Sequence, residues 1–427
     1  MQLRNNKHLN AVCFAVTASL ILSTATAQDL VHKAAPQRTP IMLYNGVIHT
    51  VSGATHKNGC ILFANGKIAD IAAGRESADL PVGTQSIDLQ GSHVYPGLVT
   101  AHTTLGLTEL DSVPMTTDTT ELGDITSEIR ANIAVNPDST AIPVARSNGI
   151  LTAGVFPSGG LIAGRGSAMA TDGWTSQDMT LRAEVGPVLS WPRRKPEDSI
   201  RRLDEFFAKA RAWHQAKAAD PTIPTDLRLA AMGAALQRKS KVFIRANDLA
   251  SIEAAVEWGV RNKLRVVIIG GRDAVLCAKL LLRHKVEVII SGTHSTPKRR
   301  DSHYNERFVL PRELHATGVS WCLGTNGNFS NERNLPYHAA SAVAFGLPED
   351  IAIKSITLFA ARTLGVADRV GSLETGKDAT LIITNGSPLD LTTVTETAFV
   401  QGRQVQLHNK HRALAAKYRA KYSQLRK

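Results

Sequence analysis

Short apolar runs alternate with polar positions over residues 41–75. Ile41-Met-Leu-Tyr, Gly46-Val-Ile-His-Thr-Val and Cys60-Ile-Leu-Phe read as strands, with turns at Asn45-Gly46 and Asn65-Gly66. The same character returns near the other end. Ala379-Thr-Leu-Ile-Ile-Thr is followed by Asn385-Gly386, then by Thr397-Ala-Phe-Val and Gly402-Arg-Gln-Val. Two β-rich pieces thus bracket the middle of the chain, and they are expected to pair into one small β domain.

The middle changes period. Lys241-Val-Phe-Ile-Arg reads as a strand, and Ser251 to Asn262 as a helix with Ile252, Ala255, Val256 and Val260 on one face. Leu264-Arg-Val-Val-Ile-Ile is a near-continuous apolar strand ended by Gly270-Gly271. Asp273 to His284 reads as the next helix, Val286-Glu-Val-Ile-Ile and Val319-Ser-Trp-Cys-Leu-Gly as later strands. Apolar strands joined by single helices indicate a parallel sheet covered on both faces. Over roughly 270 residues an α/β fold of this kind is best satisfied by a (β/α)8 TIM-like barrel. The chemistry of such a barrel sits at the C-terminal strand ends. That rule selects His102 to Thr104, Ser190-Trp191, Arg245 to Asn247, Gly270-Gly271, Ser291 to His294, and Asn326.

The ends of the 427-residue chain add separate information. Arg4 and Lys7 precede an apolar run from Ala11 to Leu22, and Ala25-Thr26-Ala27 gives a small-x-small site before Gln28. This is the layout of a cleaved secretory leader, so an exported protein, periplasmic or secreted, is expected. Cys13 lacks the small residues that precede a lipidated cysteine. No acid occurs in residues 1–27, so cleavage at Ala27-Gln28 takes the net charge from +12 to +10. Beyond the leader no segment approaches the roughly 20 apolar residues of a membrane span. Cys60, Cys277 and Cys322 remain, an odd number without CxxC spacing, and buried free thiols are expected. Lys410, Arg412, Lys417, Arg419, Lys421, Arg426 and Lys427 occur without an acid between them, while Leu414, Tyr418, Tyr422 and Leu425 recur at helical spacing. A basic amphipathic helix is expected, solvated and lying on the body, with anionic lipid or an acidic partner as the other option. No nucleic-acid-binding motif is present.

Several motifs carry a family likeness. Val94-Tyr-Pro-Gly-Leu-Val-Thr-Ala-His102-Thr-Thr104-Leu-Gly resembles the first barrel strand of the amidohydrolase superfamily, which usually ends Pro-Gly-hydrophobic-hydrophobic-Asp-x-His-x-His. Gly371-Ser-Leu-Glu-Thr-Gly-Lys-Asp-Ala-Thr-Leu-Ile-Ile is similar to that family's return into its β-sandwich, and Phe399 to Val405 to its last hairpin. Asn148-Gly-Ile-Leu-Thr-Ala-Gly-Val, Gly159-Gly160 and Gly164-Arg165-Gly166 resemble the imidazolonepropionase-like, secreted branch. Leu347-Pro-Glu-Asp-Ile-Ala-Ile-Lys-Ser-Ile-Thr fits its last barrel helix. The likeness runs from Ile41 to Leu407. Between the leader at 1–27 and the basic helical tail at 408–427, it implies a β-sandwich from 28–95 and 366–407 and a barrel at 96–365.

The resemblance also implies one or two divalent metals such as zinc, held from strands 1, 4, 5, 6 and 8, which activate a water against a carbonyl. The matching positions depart from that pattern. His102 matches the first histidine, but Thr104 stands in place of the second. Ser190 or Trp191 falls where this branch often has a carboxylate. Arg245 replaces the strand-5 histidine, Gly270 the strand-6 histidine, and Asn326 the strand-8 aspartate. A guanidinium offers only donors and a permanent charge. At about 4 Å from a divalent ion it costs several kcal/mol even at an effective dielectric near 20. An amide at 326 cannot take up a proton at useful pH. His294 and His303, which flank Lys298-Arg299-Arg300, and Glu184 with His338, are the remaining material for a rebuilt metal site. Surface histidines in a polar loop are the expectation for the former.

No metal or other cofactor is therefore expected. Two readings follow. In one, an amidohydrolase fold without hydrolysis binds a small anionic ligand at His102, Arg245, Asn247, His294 and Asn326, or supports an active amidohydrolase paralogue or its own oligomer. In the other, the chain is an active hydrolase of carbon–nitrogen bonds in an amide, dipeptide or cyclic amide, with a non-standard site.

Overall fold

The computed structural model describes residues 33–74, 80–193, 196–325, 327 and 329–425. The expected leader at 1–27 and the strand-8 position Asn326 lie outside the described residues. Five strands come first: β1 Ile41–His49, β2 Thr55–Ala64, β3 Lys67–Ala73, β4 Gln85–Asp88 and β5 His93–Pro96. Eight follow through the middle: β6 Leu98–Thr103, β7 Ile150–Val155, β8 Ile162–Ala170, β9 Thr180–Ser190, β10 Val242–Ala246, β11 Val266–Gly270, β12 Glu287–Ile290 and β13 Trp321–Leu323. The last three are β14 Leu381–Thr384, β15 Thr395–Val400 and β16 Arg403–Val405.

The two β-rich ends join in one eight-stranded sheet, ordered β16-β15-β14-β5-β1-β2-β3, with β4 also on β1. The seam is β5 against β14, running antiparallel from Leu381 opposite Pro96 to Thr384 opposite His93. The Asn65-Gly66 turn forms as read, both residues at positive φ, which matches the twist of the hairpin it closes. Asn45-Gly46 does not turn the chain. β1 runs through it, and the register slips between Leu43 and Gly46 as a bulge with Asn45 at φ +60°. Gly46 is needed there, since a Cβ would fall 2.8 Å from Ser92 O.

β6 to β13 form the second sheet in chain order, and a parallel bridge from Thr103 to Gly327 brings its two edges together. The result is an eight-strand, nearly closed TIM-type barrel, as the alternation of apolar strands and helices indicates. One strand departs from the all-parallel pattern: β8 runs antiparallel to both β7 and β9. Only residues 156–161 separate β7 from β8. That suffices for a hairpin, whereas a parallel return needs a dozen residues or more.

Side-chain alternation along the strands sorts the core. Val99, Val188, Phe243, Val267, Ile269, Ile289 and Cys322 fill the barrel interior. Their neighbours Leu98, Leu189, Ile244, Ile268, Ile290 and Leu323 face outward to the helical layer. That layer includes α1 Pro196–Ala219, α2 Leu249–Arg261, α3 Ala278–His284, α4 Glu306–Ala316, α5 Leu335–Ala344, α6 Glu349–Ser355 and α7 Leu358–Leu364. Asp248 caps α2 by accepting from Ser251 N at 3.0 Å. Ile252, Ala255 and Val256 of α2 are buried as their spacing predicts, but Val260 is turned to solvent. Cys60, Cys277 and Cys322 are all buried free thiols. The tail forms α8 Lys410–Leu425. None of its residues is buried, and its start is hydrogen-bonded to the body. Among the described residues no helix is long and apolar enough to cross a membrane.

Sheet and barrel are tied by a buried charge cluster. The Asp172 carboxylate meets Arg146 Nη1 at 3.0 Å and Arg403 Nη1 at 2.9 Å, and the side chains of Asp172 and Arg146 are 0% and 2% exposed. Removing one member leaves buried charge without compensation. Asp172→Ala is therefore expected to lower unfolding free energy by about 3–5 kcal/mol. Urea denaturation of the variant beside the parent checks this.

Candidate functional site

The C-terminal strand ends carry His102 on β6, Arg245 on β10 and Gly270 on β11. His102 lies next to the end of β6. Its ring centroid is 5.4 Å from that of Phe156. A Cβ on Gly327 would come within 2.9 Å of His102 Cε1, so glycine at 327, at φ +76°, is what lets the ring seat there. The Nε2 atom of His102 is buried and has no hydrogen-bond partner among the described residues. Burial, and then the charge of Arg245, push the imidazole down to about 3. It is a neutral ring at any ordinary pH and a very weak base. Thr104 is committed elsewhere, its hydroxyl donating to Gly327 O at 3.2 Å. With the Thr103 bridge this stitches strand 1 to the segment after strand 8.

Arg245 sits near the end of β10. Alternation from Phe243, inside the barrel, sends its side chain inward. Nη2 donates to Pro157 O at 2.6 Å. Nη1 is buried and has no partner among the described residues. Among these residues no carboxylate pairs with the guanidinium, and burial pushes it down to about 10. It remains a cation at neutral pH, held by a single backbone carbonyl. Its register partner on β9 is Ser190. Of the two strand-4 candidates, Ser190 shares the inner face with Val188, whereas Trp191 turns outward onto Trp258, with ring centroids 5.9 Å apart.

Strand 6 is closed by its own neighbour. Ile269 is the inward side chain, and Gly270 leaves the strand at φ +113°. A Cβ there would lie 2.5 Å from Asn247 Oδ1 and 2.9 Å from Ala246 O. The Asn247 amide thus occupies the space into which a side chain at 270 would grow.

The remaining candidates stand apart from Arg245. The His294 ring lies 4.0 Å from that of His338, and its Nε2 is 2.8 Å from Ser341 Oγ on α5. His338 is buried, and its Nδ1 accepts from Thr293 N at 3.0 Å and His294 N at 3.1 Å. It latches the loop that follows β12. Burial, and then His294, hold His338 down to about 3. Glu184 pairs with Arg165 at 2.5 Å, near the beginning of β9. His303 is exposed beside Tyr304.

One group escaped the sequence reading. Glu332 is fully buried behind strands 1 and 8, where the Thr325 hydroxyl donates to it, and burial pushes its carboxyl up to about 7. Its surroundings in sequence, Ser330-Asn331-Glu332-Arg333-Asn334, are those of an exposed turn, so nothing local signals burial. The roles of Gly327 and Pro157 were likewise invisible, because each acts through its backbone.

These residues do not fit a divalent metal. Among the described residues no three His, Cys, Asp or Glu side chains are grouped so as to hold one. The donor chemistry is also wrong, with a guanidinium, a hydroxyl already donating and a glycine filled over by an amide. What the mouth offers is a buried cation with a free N–H beside a neutral imidazole with a free nitrogen. That set suits an anion.

Residues 215–407 match the sequence model of the amidohydrolase family. The amidohydrolase tasK of Hapsidospora irregularis is 21% identical over 388 residues, covering 78% of this chain. The chain spans only 38% of the length of that relative. An amidohydrolase from Thermotoga maritima MSB8 superposes with a TM-score of 0.78 at 22% identity, covering 86% of this chain and 99% of that one. A prolidase solved with N-methylphosphonate-L-proline has a TM-score of 0.56 at 16% identity, covering 86% and 100%. These structures share the fold.

The latch histidine yields a prediction. His338 binds its proton at an ordinary pKa of 6.5 when unfolded but only near 3 when folded. Its contribution is fully present above pH 6.5 and is lost as pH falls toward 3. The slope is about 1.4 kcal/mol per pH unit. His338→Gln is expected to flatten the acid limb of the stability curve between pH 6 and 4. Chemical denaturation at stepped pH measures it.

Proposed function

We propose that this chain, which belongs to the amidohydrolase superfamily, uses the family scaffold to bind a small carboxylate-bearing molecule and does not hydrolyse through a metal. The observation that carries this reading is Arg245, whose buried Nη1 has no partner and whose guanidinium pairs with no acid among the described residues. An uncompensated cation in a protein interior is costly. A carboxylate from a ligand compensates it through a charge-assisted hydrogen bond. His102, in the tautomer that protonates Nε2, supplies a second donor to the same anion.

The same residues argue against hydrolysis. A general base must take up a proton near the working pH. His102, held down to about 3, does not do so, and Thr104 spends its proton on Gly327 O. Asn326, in place of the family's aspartate, brings an amide where a carboxylate would shuttle the proton. Support of an active paralogue is compatible with this role, and the leader pattern at 1–27 supports action outside the cytoplasm.

A second reading keeps the family's chemistry, an active hydrolase of carbon–nitrogen bonds with a reassembled site. Family membership and the prolidase among the structural neighbours favour it. It requires a base that the described mouth residues do not supply.

Calorimetric titration of the full chain with acidic amino acids and dipeptides separates the two. The proposal predicts saturable binding, weakened at least about 30-fold in Arg245→Met, since losing a partner of a buried charge pair costs about 2–5 kcal/mol. The ligand-free variant is expected to melt higher than the parent, because an unpaired buried cation is gone. Turnover of an amide that depends on added metal, with no carboxylate binding, would overturn the proposal in favour of the second reading.

A further inference from the structure

We propose that α8 is a docking element for an anionic lipid surface. Among the described residues, hydrogen bonds tie the helix to the body at its start. Asn409 Oδ1 accepts from His411 N at 2.9 Å and Arg412 N at 3.1 Å, Arg412 Nη2 donates to Thr395 O at 3.3 Å, and Arg333 meets His411. Beyond that turn its side chains face solvent.

Their arrangement around the axis is specific. At about 100° per residue, Leu414, Tyr418, Tyr422 and Leu425 fall within an arc of about 80°. They are 40%, 50%, 58% and 71% exposed, so among the described residues nothing buries this stripe. Lys410, Lys417 and Lys421 line one side of it, Arg412 and Arg419 the other, and Ala416, Ala420 and Ser423 form the back. An apolar stripe between two basic flanks is the pattern of a helix lying in a membrane interface. Leucines and tyrosines enter the acyl boundary while the long basic stems reach the phosphates.

Charge selects the occupant. The helix has five lysines and arginines and no acid from 410 to 425. A second copy of α8 would bring like charge against like, so self-association is disfavoured, and a polyanionic surface is favoured. The apolar stripe separates a bilayer from a merely acidic macromolecule, which would need only the flanks. Among the described residues no helix is long and apolar enough to cross the membrane, consistent with a helix that lies along its surface.

The test is co-sedimentation of the full chain with vesicles. One set is phosphatidylcholine alone, and the other contains about one third phosphatidylglycerol. Binding to the anionic vesicles only, falling steeply at high salt, is expected. Lys417→Glu with Lys421→Glu should weaken it at least about tenfold. Tyr418→Ser with Tyr422→Ser, which leaves charge unchanged, should also weaken it several-fold. A melting curve unchanged from the parent shows that these exposed variants fold. No binding to anionic vesicles at low salt overturns the proposal. So does binding that the tyrosine pair leaves unaltered, which assigns the helix to an acidic macromolecule instead.

Discussion

The guanidinium of Arg245 and the single carbonyl that holds it set the terms for everything at the barrel mouth. A charge that cannot be titrated away near neutral pH, buried beside His102, depresses that histidine further than burial alone does. It also repels any divalent ion that would approach the same centre. The interaction with Pro157 O fixes the side chain from the loop after β7. That loop exists in its short form because β8 turns straight back as a hairpin. The reversed strand and the placed cation are thus one structural fact seen from two sides.

Around this centre the substitutions fit one another. His102 seats only because residue 327 is glycine, and Asn247 lies in the space that a side chain at 270 would claim. Thr104 bonds the backbone across the closure of the barrel. Restoring single ligands would therefore meet contacts already in use. Meanwhile the features that build the scaffold persist, namely the seam of β5 with β14, the interior of alternate apolar side chains and the Asp172 cluster joining sheet to barrel. The scaffold is the one shared with the solved amidohydrolase, and the mouth carries a cation.

Much of this was legible in the sequence, for reasons that are physical. Strands buried on both faces read as apolar runs, so β10, β11 and β12 were found within a residue or two. Asn65-Gly66 closed a hairpin because that pair tolerates positive φ at both positions. Asn45-Gly46 has the same composition but became a bulge, since the pairing of β1 with β2 continues past it and local chemistry does not decide between the two. The residue types at 102, 104, 245 and 270, a histidine and three departures from the expected pattern, were visible. The steric closure was not, because it depends on contacts between residues distant in sequence. Nor was the exposure of the α8 stripe visible, since helical spacing of apolar residues states that a stripe exists and not what it meets.

The central claim is that a permanent cation has taken the place of metal chemistry. It is tested most directly by anomalous diffraction at the zinc, iron and manganese edges from crystals of the full chain grown with those ions. The prediction is no anomalous peak at the barrel mouth, with density for a bound carboxylate or water against Arg245 Nη1. A peak within bonding distance of His102 Nε2 at any of the three edges would contradict it.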